Sequence, residues 1–234
     1  MENDYMNILK YNFIYNNQIS LCEDSLIKNH YTWSEEYRHI IISSTELFCS
    51  LLKDDFNVLD IGAQSGCFSL AAKFFPKTKW KSFEPDPSNY DLLLKNIELN
   101  EITNVECFPF GVSDVNGELD FNLSLHHKGL NTFGFQNLQD LGEIQKIKAK
   151  VFKLDDMITE GIDLIKIDTE GCELNILKGG FDTINKHKPK IFLEFSNSHL
   201  QKFGKNSNDL LQFLEILNYK IEFSYDDNIL ISPK

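Results

Sequence analysis

Short strand-like runs of apolar residues alternate with helix-like segments along the chain from residue 57 onward. The pattern predicts strands at 57–61, 79–84, 104–109, 163–168 and 190–195, and helices at 65–75, 87–99, 172–186 and 207–217. Strands that alternate with helices pair in parallel. The sequence therefore predicts an α/β fold with a doubly wound, mainly parallel sheet.

Two regions depart from this alternation. Near the C-terminus, "YKIEF" and "NILIS" are joined by a turn rich in Asp and Asn, which predicts an antiparallel pair at one edge of the sheet. Between residues 115 and 150, "GELDFNLSL" and "IKAKVFKLDD" predict strand additions around a polar loop.

The first 54 residues carry apolar side chains at roughly helical spacing. They are Trp33, Tyr37, Ile40, Ile41, Leu47, Phe48, Leu51 and Leu52. This spacing predicts an N-terminal helical extension over 1–54, before a main domain over 55–234. Its role as a lid or as a contact in a homodimer stays open.

Composition narrows the class of protein. A chain of 234 residues with 42% hydrophobic content can bury one sizeable core. Its net charge of −12 is spread along the chain without a basic stripe, which argues against a nucleic-acid partner. The sequence contains no run of about 18 apolar residues, so it predicts no membrane span. The N-terminus lacks a secretory pattern and the five cysteines form no C-x-x-C pair, so we expect a cytoplasmic protein.

The turn after the first strand, "DIGAQSG", carries two glycines that suit a ligand loop. A P-loop would need a lysine where Cys67 stands and wider spacing than Gly62 and Gly66 provide. A dinucleotide fingerprint would need glycines at Gln64 and Cys67, which counts against NAD without excluding it. What remains is D-x-G-x-x-x-G at the carboxyl end of a strand, where open α/β sheets bind ligands.

Acids stand at three successive strand ends. Glu84, 18 residues after Gly66, could accept hydrogen bonds from ribose hydroxyls, and Ser113 and Asp114 could flank an adenine. Each also has a purely structural interpretation: Glu84 as a helix-dipole partner, Asp60 as an acceptor for loop amides, and 113–114 as an ordinary turn. Together they match a ligand with adenine, ribose and a cationic tail, as in S-adenosylmethionine.

A second motif, "KIDTEGCE" at 166–173, lies at a later strand end. Lys166 and Asp168 are two residues apart and so share one face of the strand, and Glu170 lies in the following turn. Both carboxylates are predicted to open onto the ligand edge. The alternative is that Glu170 and Glu173 only complement the dipole of the next helix.

With these motifs, and with "LKGG" at 177–180, the chain resembles the FkbM family of S-adenosylmethionine-dependent methyltransferases over about residues 56–196. The resemblance implies a class I methyltransferase fold for 55–234. It places Asp60, Gly62, Ala63 and Gly66 at the cofactor, Glu84 on the ribose, and Asp168 facing the methyl-transfer site. Family members often carry Asn-Ile where this chain has Gln64 and Ser65, and we expect Ser65 to cap the next helix.

The resemblance implies O-methylation of a hydroxyl on a small sugar, glycan or secondary metabolite. The candidates for the general base are three acids and three histidines: Asp168, Glu170, Glu194, His126, His127 and His199. A divalent metal at Asp168, Glu170 or Glu194 stays open. Two other functions stay open as well, an NAD-linked oxidoreductase and a binding module without catalysis.

Overall fold

A computed structural model of the chain describes residues 8–12, 18–22 and 35–234, with side chains from Ser43 onward except that of residue 128. The strands are β1 (Ile8–Asn12), β2 (Gln18–Cys22), β3 (Asn57–Ile61), β4 (Lys79–Phe83), β5 (Val105–Phe108), β6 (Gly111–Val112), β7 (Gly117–Ser124), β8 (Ile144–Phe152), β9 (Leu164–Ile167), β10 (Lys190–Glu194), β11 (Tyr219–Tyr225) and β12 (Asn228–Pro233). The helices are α1 (Glu35–Ser50), α2 (Pro87–Leu99), α3 (Leu154–Met157), α4 (Glu173–Gly179), α5 (Phe181–His187), α6 (Asn197–Gln201) and α7 (Ser207–Ile216).

The central sheet has seven strands in the order β11-β12-β10-β9-β3-β4-β5. Strands β10, β9, β3, β4 and β5 are parallel, and β12 runs antiparallel to both β10 and β11. The predicted α/β fold with an antiparallel C-terminal edge is confirmed. Because β3 and β9 are neighbours while the chain continues outward from them in opposite directions, a crevice opens at their carboxyl ends.

Alternate residues of the central strands enter two separate cores, one on each face of the sheet. Leu59, Ile165 and Leu193 belong to one core, and Val58, Leu164 and Phe192 belong to the other. All four residues of β9 are buried, including Lys166. Burial on both faces explains why these strands read as nearly continuous apolar runs.

A second, smaller sheet lies outside the central one. Strand β8 pairs antiparallel with β7 over eight residues and parallel with β6, giving the order β6-β8-β7. The strands predicted for residues 115–150 are present, but they form this separate sheet instead of extending the main one. Strands β7 and β8 satisfy their backbone hydrogen bonds by pairing with each other.

Two predicted helices differ in the structure. Residues 64–68 form a turn and Ser69–Phe74 a 3₁₀ helix, because Gly66 has φ +100° and Ser69 Oγ is held 2.5 Å from Asp60 Oδ2. Ser65 does not cap it, since its buried hydroxyl has no hydrogen-bond partner among the described residues. The predicted helix at 172–186 is two helices, α4 and α5, separated at Gly180.

Helix α2 occupies the predicted span 87–99. Asp86 caps it by accepting a hydrogen bond from the Ser88 amide at 2.8 Å, and Pro87 occupies its first position. This helix packs on the sheet beside the glycine turn and follows Glu84 directly in the chain.

Before β3, helix α1 agrees with the predicted helical pattern, whereas the antiparallel pair of β1 and β2 was not predicted. Trp33 lies outside the described residues. Phe48, near the end of α1, is fully buried against Phe68 and Trp80. The domain boundary at 54 stays a prediction. Among the described helices, none has both the length and the apolar character needed to cross a bilayer.

Candidate active site

A cavity of about 340 Å³ opens at the carboxyl ends of β3, β4, β9 and β10. Six of the residues predicted from sequence line it: Gly62, Ala63, Glu84, Asp168, Glu170 and Glu194. The other four, Asp60, Gly66, Ser113 and Asp114, are not among its lining residues. The cavity thus brings together acids from the ends of three strands, β4, β9 and β10.

Gly62 joins the two central strands at the base of the cavity. Its φ is +77°, and a Cβ at this position would lie 2.0 Å from the carbonyl oxygen of Asp168. The amides of Gly62 and Ala63 both donate to Phe83 O at 3.0 Å. The first turn is therefore held against the ends of both β4 and β9, and only glycine fits there.

Gly66 packs against the neighbouring helix α2. Its φ is +100°, and an added Cβ would lie 2.8 Å from Leu93 Cδ1 on α2. The second glycine of the motif thus permits close packing of the turn against α2, while Gly62, Ala63 and Gln64 face the cavity.

Glu84 ends the strand next to β3 and is almost completely buried. Its Oε2 accepts a hydrogen bond from the Gln64 amide, and its Oε1 accepts one from the Asp86 amide, both at 2.8 Å. Burial raises the pKa of this carboxyl to about 7, and the two amide donors oppose that shift. A carboxylate offers about four acceptor positions, so Glu84 retains capacity for two further donors from a ligand.

Lys166 connects the end of β3 with the end of β9. Its buried ammonium donates to Gly62 O at 2.7 Å and lies 3.4 Å from Asp60 Oδ1 and 3.8 Å from Asp168 Oδ2. Asp60 is fully buried, whereas the side chain of Asp168 is 40% exposed and lines the cavity. Asp60 therefore fixes Lys166, and Lys166 orients Asp168.

On the far side of the cavity, Glu170 and Glu194 lie on either side of His199. His199 Nδ1 is 2.9 Å from Glu194 Oε1, and its Nε2 is 3.3 Å from Glu170 Oε2. Lys202 Nζ is also 3.1 Å from Glu170 Oε2. Burial, and then the neighbouring carboxylate Glu194, raises the pKa of Glu170 well above its ordinary value.

The turn that carries Glu170 is held by Glu173. Glu173 Oε1 accepts hydrogen bonds from the Thr169 amide and hydroxyl at 3.0 and 2.9 Å and from the Gly171 amide at 3.2 Å. This internal bonding keeps Glu173 away from the cavity and holds Glu170 at φ +57°.

The remaining predicted residues lie elsewhere. The Ser113 amide donates to Phe152 O at 3.0 Å, within the small sheet, and Ser113 Oγ lies 3.3 Å from Asp114 Oδ1. His126 and His127 are exposed and do not line the cavity. Of the three histidines considered from sequence, His199 lines it.

The loop between β7 and β8 covers the cavity, which the sequence did not indicate. Asn131 Nδ2 donates to Asp86 Oδ2 at 2.8 Å, and Thr132 Oγ1 donates to Glu170 O at 2.9 Å. Gly129, Leu130 and Phe133 line the cavity from this loop. The loop therefore spans from the cap of α2 to the turn after β9.

The model of the methyltransferase FkbM domain matches residues 60–221, which include the glycine turn, Glu84 and the segment from Lys166 to Glu173. The chain belongs to the FkbM methyltransferase family. The predicted resemblance is thereby confirmed over more than half of the sequence. The cavity at the β3–β9 crevice is the candidate active site of an FkbM methyltransferase.

Individual relatives agree with the family. The chain is 30% identical to the 2-O-methyltransferase NoeI of Sinorhizobium fredii (strain NBRC 101917 / NGR234) over 168 residues, covering 64% of this chain and 67% of NoeI. It is 30% identical to the methyltransferase sdnD of Sordaria araneosa over 153 residues, covering 52% of this chain and 59% of sdnD. The match with sdnD thus spans about three fifths of that protein.

Among solved structures, the methyltransferase FkbM from Methylobacillus flagellatus KT matches with a TM-score of 0.54 and 23% identity. The match covers 88% of this chain and 52% of that one. At this identity the match bears on the fold, which is that of a class I methyltransferase.

Proposed function

We propose that this FkbM-family chain is an S-adenosylmethionine-dependent O-methyltransferase acting on a hydroxyl of a small sugar, glycan or secondary metabolite. One observation carries the proposal: the buried Glu84 and the cavity-facing Asp168 converge on one cavity at the β3–β9 crevice. Family membership and the similarity to NoeI, a 2-O-methyltransferase by name, support it.

The residues of the cofactor side fit the cofactor. Glu84 holds two amide donors and keeps free acceptor positions, which suits the two hydroxyls of a ribose. Gly62, Ala63 and Gln64 supply a compact turn beside it. When bound, S-adenosylmethionine supplies a methyl group activated by its sulfonium charge.

The residues on the acceptor side hold and deprotonate the acceptor. Asp168 is the general base in this proposal, because its carboxylate faces the cavity and is oriented by Lys166. A base at this position would accelerate the reaction about 10²- to 10⁴-fold. Phe68, Phe121 and Phe133 form apolar walls that exclude water and restrict the acceptor. Such positioning is worth about 7–11 kcal/mol in favourable cases.

Replacing Asp168 tests the assigned base. We expect Asp168→Asn to lower kcat about 10²- to 10⁴-fold while the affinity for S-adenosylhomocysteine stays within about tenfold. The measurement is the release of S-adenosylhomocysteine with a panel of uncharged sugars and polyhydroxylated metabolites. Asp91→Asn, on the exposed face of α2, is the matched control. Full activity of Asp168→Asn would remove Asp168 from the mechanism.

A further inference from the structure

Three side chains of metal-ligating type converge beyond Asp168 on the acceptor side. Glu170 follows β9, Glu194 ends β10, and His199 lies on α6. One nitrogen or oxygen from each lies within 4.8 Å of the other two. All three line the cavity, so an ion among them would be reachable from the acceptor side.

Glu194 provides an independent indication that something is bound here. Its Oε1 contacts His199, but its Oε2 is fully buried and has no hydrogen-bond partner anywhere in the described part of the chain. A buried carboxylate oxygen without a donor is unfavourable, because it has lost water and gained no partner. A cation at this atom would remove that cost.

The charges around the cluster are not balanced at Glu194. Lys202 lies 3.1 Å from Glu170 Oε2 and from Asp140 Oδ2, so its charge is directed to those two acids. Among the described residues, Glu194 forms an ion-pair contact with His199 alone, so no lysine neutralises its carboxylate directly.

We propose that Glu170, Glu194 and His199 bind a divalent transition-metal cation. Two carboxylates and one imidazole suit a first-row ion such as Mn²⁺ or Zn²⁺ better than Mg²⁺, which favours an all-oxygen shell. His199 would ligate through one nitrogen of its neutral imidazole. The role of the ion in catalysis rests on the proposed function: the ion would polarise the acceptor hydroxyl next to Asp168.

Titration of the chelator-treated full chain with Mn²⁺, without cofactor or acceptor, tests this site. The loss of the free Mn²⁺ paramagnetic resonance signal measures binding. We expect one ion per chain, with affinity at least tenfold weaker in Glu194→Gln and in His199→Gln.

Two controls separate the site from general binding of ions to an acidic protein. His187→Gln, on α5 and away from the cavity, and Glu98→Gln, exposed on α2, should bind Mn²⁺ like the unchanged chain. Circular dichroism checks that each variant folds. If His199→Gln does not fold, Glu194→Gln decides the question by itself.

The proposal is overturned if the unchanged chain binds no Mn²⁺ at millimolar concentration, or if Glu194→Gln and His199→Gln bind it unchanged. The cluster would then be an internal hydrogen-bond network centred on His199. S-adenosylhomocysteine binding, measured on the same preparations, reports separately on the proposed function.

Discussion

At the residue scale, Glu84 combines burial with a position where a ligand is expected. Its carboxyl has lost water, is held by two backbone amides, and has a pKa of about 7. Such a perturbed acid in a cavity is typical of functional sites. Its titration also gives a signature that does not depend on any acceptor.

The pH dependence of stability should carry this signature. Between pH 4.5 and 7 the folded state keeps a proton on Glu84 that the unfolded state releases, so stability falls as the pH rises. The free energy of unfolding should lose about 3 kcal/mol across this window through Glu84 alone. Urea unfolding of the unchanged chain and of Glu84→Gln at several pH values measures the difference.

Glu84→Gln should lose this part of the pH dependence, and the exposed-residue control Glu98→Gln should keep it. If the stability of Glu84→Gln falls with pH as steeply as that of the unchanged chain, the raised pKa assigned to Glu84 is wrong.

The contacts of His199 with Glu170 and Glu194 could not be predicted from the sequence. From sequence, His199 is one of three histidines considered for the general base. Its contacts arise because α6 returns to the cavity after β10, with Gly171 so close that an added Cβ would lie 2.1 Å from His199 O. Such convergence depends on tertiary packing, and no local spacing encodes it.

At the element scale, the site depends on the close approach of β3 and β9. Lys166 joins both strand ends through Gly62 O and Asp60, and both members of that ion pair are buried. Removing one partner of a buried pair typically costs about 3–5 kcal/mol. We therefore expect the removal of either partner to destabilise the crevice between β3 and β9.

Gly62→Ala should break this approach. The new Cβ would meet the Asp168 carbonyl at 2.0 Å and the backbone would be strained at φ +77°. We expect a loss of about 2–5 kcal/mol in the free energy of unfolding from overpacking and strain together. Thermal or urea unfolding measures it.

Gly161→Ala is the matched control, because nothing lies within 4 Å of its added Cβ and its φ is not positive. It should be close to neutral. Equal stabilities for the two variants would mean that the β3 and β9 turns do not touch as described.

The elements differ in how well the sequence predicts them. The central strands were predicted within one or two residues, because their apolar runs are buried on both faces. The segment 65–75 was predicted as one helix because Leu70, Ala71 and Ala72 are apolar, but the positive φ of Gly66 and the bond from Ser69 to Asp60 shorten it. The strands of the small sheet were predicted, but their position outside the central sheet was not. The sequence of one strand does not specify the strand with which it pairs.

At the scale of the whole molecule, the strand order explains why distant motifs act together. The turns after β3 and β9 are more than 100 residues apart in sequence, yet β3 and β9 pair directly. The fold thereby places Glu84 and Asp168, which we propose for the cofactor side and the acceptor side, around one cavity. The family motifs predicted this arrangement, whereas the covering loop between β7 and β8 carried no recognisable motif.

The net charge of −12 bears on the acceptor as well. The cavity is lined by Asp226 and Asp227 in addition to the acids already described, while Lys166 is paired with Asp60 and Lys202 with Glu170. An acceptor with a free phosphate or carboxylate would meet repulsion here. This favours the uncharged hydroxylated acceptors of the proposed function.

Calorimetric titration of the full chain with S-adenosylhomocysteine tests the central claim most directly. We predict one binding site in the unchanged chain, affinity at least tenfold weaker in Glu84→Ala, unchanged affinity in the surface control Glu98→Ala, and no heat with NAD. Absence of binding by the unchanged chain, or equal binding by Glu84→Ala, would contradict the assignment of this cavity to the cofactor.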